Sequence, residues 1–226
     1  MNTDVDTVAI LGGTGALGYA LAKRLAHAGV PVVIGSRDAS RAEASANKIV
    51  GELPDADVRG RSNPDAVADA GRLVVLAVPL SSQVETLKAV AESLTEGQIV
   101  LDTTVPLAPV VGGRATQVVG LWAGSAGQQA AAHVPRGVTV VSGLHTLSAP
   151  LLDDLDHDLA QSTLICGNRA EDKQYVADIL GRIPGLDVVD AGRLEMSRLV
   201  EGITPLLIGI NIRNKTHAGI RITGLE

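Results

Sequence analysis

Aromatic residues are nearly absent from this 226-residue chain, which has no Phe, one Trp (Trp122) and two Tyr (Tyr19 and Tyr175). Its core must therefore be aliphatic. A hydrophobic share of 46% supplies enough Val, Leu, Ile and Ala to offset chain entropy, which excludes a disordered protein. A single cysteine, Cys166, excludes an intramolecular disulfide and a thiolate zinc site. Within the run Thr163-Leu164-Ile165-Cys166 it reads as a small buried hydrophobe in a reducing compartment. Positive charge is scarce, with 19 Lys and Arg against 25 Asp and Glu and a net charge of −6. That balance argues against broad nucleic-acid or anionic-membrane binding, so any phosphate must be held by a few placed donors. No apolar run reaches the ~18 residues that span a bilayer. The opening Met1-Asn2-Thr3-Asp4-Val5-Asp6 lacks the basic start of a signal peptide. The expectation is a cytoplasmic protein that binds small molecules, with no membrane or nucleic-acid partner and no metal.

What is present is alternation. Continuous β-branched runs at 8–11, 32–34, 73–78, 99–101 and 138–141 suit parallel strands covered on both faces, with a weaker candidate near Val58. Between them lie helical signals. Leu17, Leu21, Leu25 and Ala28 share a face before Gly29. Asn63 and Pro64 read as N-cap and first helical residue. Ser82 and Glu85 have capping-box spacing ahead of a face formed by Val84, Leu87, Ala91 and Leu94. This order predicts an α/β fold with an open, doubly wound parallel sheet of the Rossmann type. The texture changes near 145–150. Residues 1–148 read as the dinucleotide-binding domain, and 149–226 as a small C-terminal α/β or helical domain.

The strongest motif follows the first run: Gly13-Thr14-Gly15-Ala16-Leu17-Gly18 matches G-x-G-x-x-G between a strand and a helix. In that context the first glycine makes the tight turn, the second lets backbone N–H groups reach a pyrophosphate, and the third packs helix on strand. The helix start adds partial positive charge.

An NAD site carries Asp or Glu at the end of the second strand, roughly 20 residues past the glycines. Here that place reads Gly35-Ser36-Arg37-Asp38, with Arg41 one turn later. A hydroxyl and two guanidinium groups suit the 2′-phosphate of NADP, because Arg offers planar, charge-assisted donors. Asp38 is either a helix-start acid or a displaced acid of the NAD type.

Ligands of doubly wound sheets lie beyond the carboxyl ends of the strands, so Ala77, Val78 and Pro79 should flank the nicotinamide. Two further segments reach the same rim, Asp102-Thr103-Thr104-Val105-Pro106 and the stretch 142–149. The second contains His145, which is a candidate for proton transfer or, more simply, for contact with a bound ring. His27, His133, His157 and His217 have no metal-ligand spacing.

Taken together, the glycine loop, Ile34-Gly35-Ser36-Arg37, Gly143-Leu144-His145-Thr146, Asp190-Ala191-Gly192, Arg198-Leu199-Val200-Glu201 and Leu206-Leu207 resemble the NADPH-dependent reductases of the deazaflavin coenzyme F-420 (F420). The resemblance implies reversible hydride transfer between NADP(H) and that coenzyme. It implies that Thr14, Gly15, Ala16 and Leu17 hold the pyrophosphate, and that Ser36, Arg37 and Arg41 hold the 2′-phosphate. His145, Leu147 and Leu207 would lie near the deazaflavin. The rivals are a reductase of imines, ketones or metal chelates, and a non-catalytic NADP-binding regulator. The apolar stretch 194–212 points to a homodimer.

Overall fold

The computed structural model describes residues 5–225, so most of the acidic opening (residues 1–4) lies outside the described residues. Eight strands form one sheet in the order β3-β2-β1-β4-β5-β6-β7-β8. They are β1 (Val8–Leu11), β2 (Val32–Ser36), β3 (Val58–Ser62), β4 (Leu73–Leu76), β5 (Ile99–Asp102), β6 (Thr139–Ser142), β7 (Gln161–Gly167) and β8 (Leu186–Asp190). The first six run parallel.

Successive strand residues face opposite sides of the sheet, and the chain fills both. Val8, Ile10, Val32, Ile34, Val75 and Leu101 pack beneath α1 (Ala16–His27), α2 (Ala39–Glu52) and α7 (Ala170–Leu180). Ala9, Leu11, Val33, Leu76 and Val100 pack beneath α3 (Asn63–Asp69), α4 (Leu80–Val90) and α5 (Ala126–Ala131). Each fully buried Leu, Ile or Val contributes about 1.5–3 kcal/mol, which is how the core holds without Phe.

Two helix starts differ from the sequence reading. Ser62, not Asn63, caps α3, its Oγ accepting from the Asp65 N–H at 3.3 Å. Asn63 already has the first helical position and its side chain is free for other use. The helix expected at Ser82 begins earlier, at Leu80 behind Pro79, with the Ser82 N–H bonded to the Pro79 carbonyl at 2.8 Å. Its buried face is accordingly shifted to Gln83, Thr86, Leu87 and Val90.

Beyond β6 the chain makes α6 (Ala149–Asp153) and returns as β7, antiparallel to β6. Only Cys166 and Gly167 of β7 pair with β6, while its length from Gln161 to Ile165 pairs with β8. The β7–β8 ribbon therefore projects past the end of β6 and walls the rim. Arg24 of α1 ties this region down. Its Nε donates to the Leu152 carbonyl at 2.9 Å, and Nη2 donates to the carbonyls of Leu151, His157 and Asp154. Helices α8 (Ser197–Glu201) and α9 (Ile203–Asn214) follow β8, and the segment after them returns to β7, where the Ser162 N–H donates to the Ile220 carbonyl at 2.8 Å. Among the described residues no helix is long and apolar enough to cross a membrane.

Candidate active site

The turn after β1 is made by Gly12 rather than Gly13: Gly12 has φ +77°, a conformation costly for any residue with a Cβ. It is also crowded, since a Cβ there would stand 2.5 Å from the Ala77 carbonyl oxygen. Gly13 instead packs against Ile34, where a Cβ would come within 2.8 Å of its Cγ2. The glycine roles are thus displaced by one residue at the turn. The other two keep their places. Gly15 is the N-cap of α1, and Gly18 lies so close to the loop that a Cβ would meet the Gly12 carbonyl oxygen at 2.5 Å. First-turn N–H groups of α1 have no acceptor within the helix and offer themselves to an anion.

A cleft of about 380 Å³ opens above this loop. Of the predicted residues, Thr14, Gly15, Ser36, Arg37, Arg41, Ala77, Val78 and Pro79 line it. Gly13, Ala16, Leu17 and Gly18 build the loop and helix beneath without lining the cleft, and His145, Leu147 and Leu207 are not among its lining residues either. Asp38 also reaches the cleft, and its carboxylate is engaged at the start of α2. It accepts from the Ser40 N–H at 3.0 Å and the Ser40 hydroxyl at 2.6 Å, and that hydroxyl holds its pKa below the ordinary value. Asp38 caps α2 through Oδ1, as the helix-start reading expects, while remaining exposed at the cleft. No other acid lines the cleft, whereas Arg37 and Arg41 are exposed beside it. Gly12, Asn63, Ser82 and Thr86 complete the lining and were not singled out as site residues by motif.

The neighbouring rim is a buried polar cluster. Gln83 Nε2 donates to Asp102 Oδ1 at 3.1 Å, to the Thr104 hydroxyl at 2.6 Å and to the Ala126 carbonyl at 2.9 Å. Burial pushes Asp102 up to about 7, against the opposing pull of Gln83 and Thr104. Glu201, reaching from α8, accepts from the Ala126 and Gly127 N–H groups at 2.9 and 3.0 Å, and burial raises its pKa as well. The sequence did carry a signal for Asp102: a carboxylate closing an otherwise aliphatic strand.

Residue 144 introduces the last segment in a strained conformation. Leu144 has φ +67° and is fully buried, with its N–H donating to the Thr163 hydroxyl at 3.1 Å. Such strain in a bulky residue persists only where surrounding packing over-determines it, and it clusters at functional sites. His145 follows Leu144, 5% exposed, with the Thr104 carbonyl near its ring but no well-formed hydrogen bond at either ring nitrogen. Burial lowers its pKa to about 4, only partly opposed by the Thr104 carbonyl. The imidazole is neutral at pH 7, an uncharged donor and acceptor. The Thr204 hydroxyl of α9 donates to the His145 carbonyl at 2.8 Å, joining the C-terminal helices to this rim.

Residues 7–106 match the family model described as NADP oxidoreductase, coenzyme F420-dependent. An F420-dependent NADP reductase of Methanothermobacter marburgensis is 39% identical over 222 residues, covering 96% of this chain and 98% of that protein. This chain belongs to the F420-dependent NADP reductase family. A crystal structure of a candidate F420-dependent NADP reductase from Arthrobacter sp. FB24 superposes with a TM-score of 0.82 at 30% identity, covering 97% of this chain and all of that one. An imine reductase from Bacillus cereus superposes at 0.60 with 18% identity, covering 92% of this chain and 59% of that one; this likeness is one of fold alone.

Proposed function

We propose that the protein catalyses reversible, direct hydride transfer between NADP(H) and the deazaflavin coenzyme F420. The observation that carries the reading is full-length kinship with F420-dependent NADP reductases, in a chain whose dinucleotide cleft pairs Ser36, Arg37 and Arg41 with an acid already engaged as a helix cap. The residues present fit NADP. Thr14, Gly15 and the amides of Ala16 and Leu17 would hold the pyrophosphate, with Gly13 and Gly18 keeping the loop close to the helix. Ser36, Arg37 and Arg41 would hold the 2′-phosphate. Ala77, Val78 and Pro79 would flank the nicotinamide, which supplies the hydride.

The orphaned ring nitrogens of buried His145 fit a heteroaromatic partner with its own donors and acceptors. With its pKa near 4, His145 orients that ring rather than delivering a proton at neutral pH. Leu147 and Leu207 would supply apolar contact beside it. The rest of the catalysis would be positioning of the two rings against each other. In this reading residues 149–226 complete the deazaflavin side, and the protein works in the cytoplasm as a homodimer. The exposed apolar residues Leu199, Leu206 and Ile212 of the C-terminal helices support that assembly.

The test is to mix the protein with NADPH and oxidised F420 and to follow loss of the coenzyme's visible absorption, with NADH and FMN as controls. Bleaching with NADPH and little with either control is expected. Binding of NADPH without bleaching would discard the deazaflavin and turn attention to imines and ketones.

A further inference from the structure

α9 reaches the rim with little apolar packing of its own. Of its 12 residues only Pro205 and Leu207 are buried in the protomer, so polar ties at its start set its direction. One tie is the Thr204 hydroxyl, which donates to the His145 carbonyl at 2.8 Å. The other is made by Glu201, the last residue of α8. Glu201 is 1% exposed, and its two oxygens accept separately from the first backbone N–H groups of α5: Ala126 to Oε2 at 2.9 Å and Gly127 to Oε1 at 3.0 Å. The seam around this pair is close. Ser125 and Ser197 are both buried with their Oγ atoms 2.7 Å apart. A Cβ on Gly127 would lie 2.8 Å from Ser142 Cβ and 3.2 Å from Ser197 Oγ. Ser142 ends β6, the strand that leads to His145. The α5 side is itself fixed, because Gln83 of α4 donates to the Ala126 carbonyl at 2.9 Å. The turn Asp190-Ala191-Gly192 steadies the chain ahead of α8, with Asp190 Oδ1 accepting from the Gly192 N–H at 2.8 Å and from Lys173 Nζ at 2.6 Å.

A buried carboxylate costs desolvation that an apolar side chain joining the same helices would not. What the carboxylate adds is direction: two charge-assisted bonds from consecutive amides admit one orientation of α8 on α5. We propose that Glu201 is a positioning residue for the deazaflavin, acting through Thr204 to hold α9 and its Leu207 in register with His145. The inference rests on the reading of this rim as the deazaflavin side. Glu201 needs no contact with either coenzyme. Its part is to keep the binding-competent arrangement of the rim populated before the deazaflavin arrives. Losing that arrangement lowers apparent affinity in proportion to the competent fraction lost, while the complex once formed is the same complex. The cost should therefore fall on the KM for F420 and not on kcat. The dinucleotide cleft, which Glu201 does not line, should not feel it.

Glu201→Gln keeps the shape but turns an amide N–H toward one of the two backbone N–H groups. It should raise the KM for F420 about tenfold, the loss of one charge-assisted hydrogen bond. The kcat at saturating F420 and the NADPH affinity, read by cofactor fluorescence, should stay native. Thr204→Val should act like Glu201→Gln, and Thr204→Ser should not. Combining Glu201→Gln with Thr204→Val should raise the KM no further than the worse single variant, because both break one linkage. Hydrogen exchange without any coenzyme should quicken across 203–214 and stay native in α1. A folded Glu201→Gln with native KM for F420, native exchange in α9, an equal loss of NADPH affinity, or effects that multiply in the double variant would each overturn the assignment. If Glu201→Gln fails to fold, the Thr204 pair decides, and a native KM in Thr204→Val overturns it. A native protein that bleaches no F420 with NADPH removes the deazaflavin reading and the assignment with it, a failure visible before any variant is made.

Discussion

Gln83 and Asp102 meet with no access to solvent: both residues are 0% exposed, and Gln83 Nε2 donates to Asp102 Oδ1 at 3.1 Å. An amide from α4 thereby holds the end of β5, and the same amide reaches Thr104 and α5. Two neighbouring groups of this rim titrate in opposite senses. Asp102 rises from 3.8 to about 7, so the folded state holds its proton more tightly and stability falls as pH rises through that window. His145 drops from 6.5 to about 4, so the unfolded state binds the extra proton and stability rises with pH between those values.

The two slopes oppose each other in the native protein between about pH 4 and about pH 6.5. Removing either group should expose the other. Urea midpoints of Asp102→Asn are expected to rise with pH relative to the native protein across this range, and those of His145→Gln to fall. Parallel profiles for native and both variants would mean that neither group titrates as its burial dictates.

Arg37→Ala should weaken NADPH binding by roughly tenfold or more while leaving NADH nearly unchanged, because only the phosphorylated ribose presents the guanidinium with a charged acceptor. Arg41→Ala should act in the same sense. Titration of both cofactors by fluorescence checks it, and an equal loss for both would remove the 2′-phosphate from this position.

The glycine loop separates fold from function. Gly18→Ala places a Cβ 2.5 Å from the Gly12 carbonyl oxygen, a backbone atom that cannot yield without moving the loop. It should lower thermal stability by about 1–3 kcal/mol, the usual cost of overpacking. Gly15→Ala meets only the same oxygen at 3.3 Å and faces the cleft. It should keep the native melting temperature within a few degrees and lose dinucleotide affinity, since the glycine is there for close approach of the ligand. Calorimetry with parallel binding titrations distinguishes the two.

Strands with continuous β-branched runs were legible in the sequence to within a residue or two at β1, β2, β5 and β6, because burial on both faces leaves one reading of such a run. The antiparallel return of β7 was not legible, since its run Thr163-Leu164-Ile165-Cys166 looks the same whichever way it points; the short α6 and the anchoring of its loop by Arg24 decide that. Within the site, Ser36, Arg37 and Arg41 were readable because they break a pattern at a known distance from the glycines. Gly12 was missed as the turn residue because G-x-G-x-x-G can be placed only one way on the chain, starting at Gly13, while conformation depends on what Ala77 leaves room for. Asn63 was misread for a related reason: Asn before Pro signals a helix start, and only the tertiary structure shows that Ser62 had already taken that role.

The C-terminal helices carry the remaining prediction. α9 reads Ile-Thr-Pro-Leu-Leu-Ile-Gly-Ile-Asn-Ile-Arg-Asn, apolar on nearly every side, yet within the protomer it buries only Pro205 and Leu207. Leu206 is 61% exposed, Ile212 68%, and Leu199 on the preceding helix 62%. Apolar surface left open on this scale is costly in water and is characteristic of subunit contacts. A charge placed in such a contact must be desolvated, so Leu206→Glu combined with Ile212→Glu should shift the protein from dimer to monomer in light scattering at micromolar concentration. The tie from Thr204 to the His145 carbonyl lies on the same helix. Dissociation should therefore also raise the KM for F420 more than the KM for NADPH. A native protein already monomeric at these concentrations would refute the assembly, and a dimer unaffected by both charges would place its interface elsewhere.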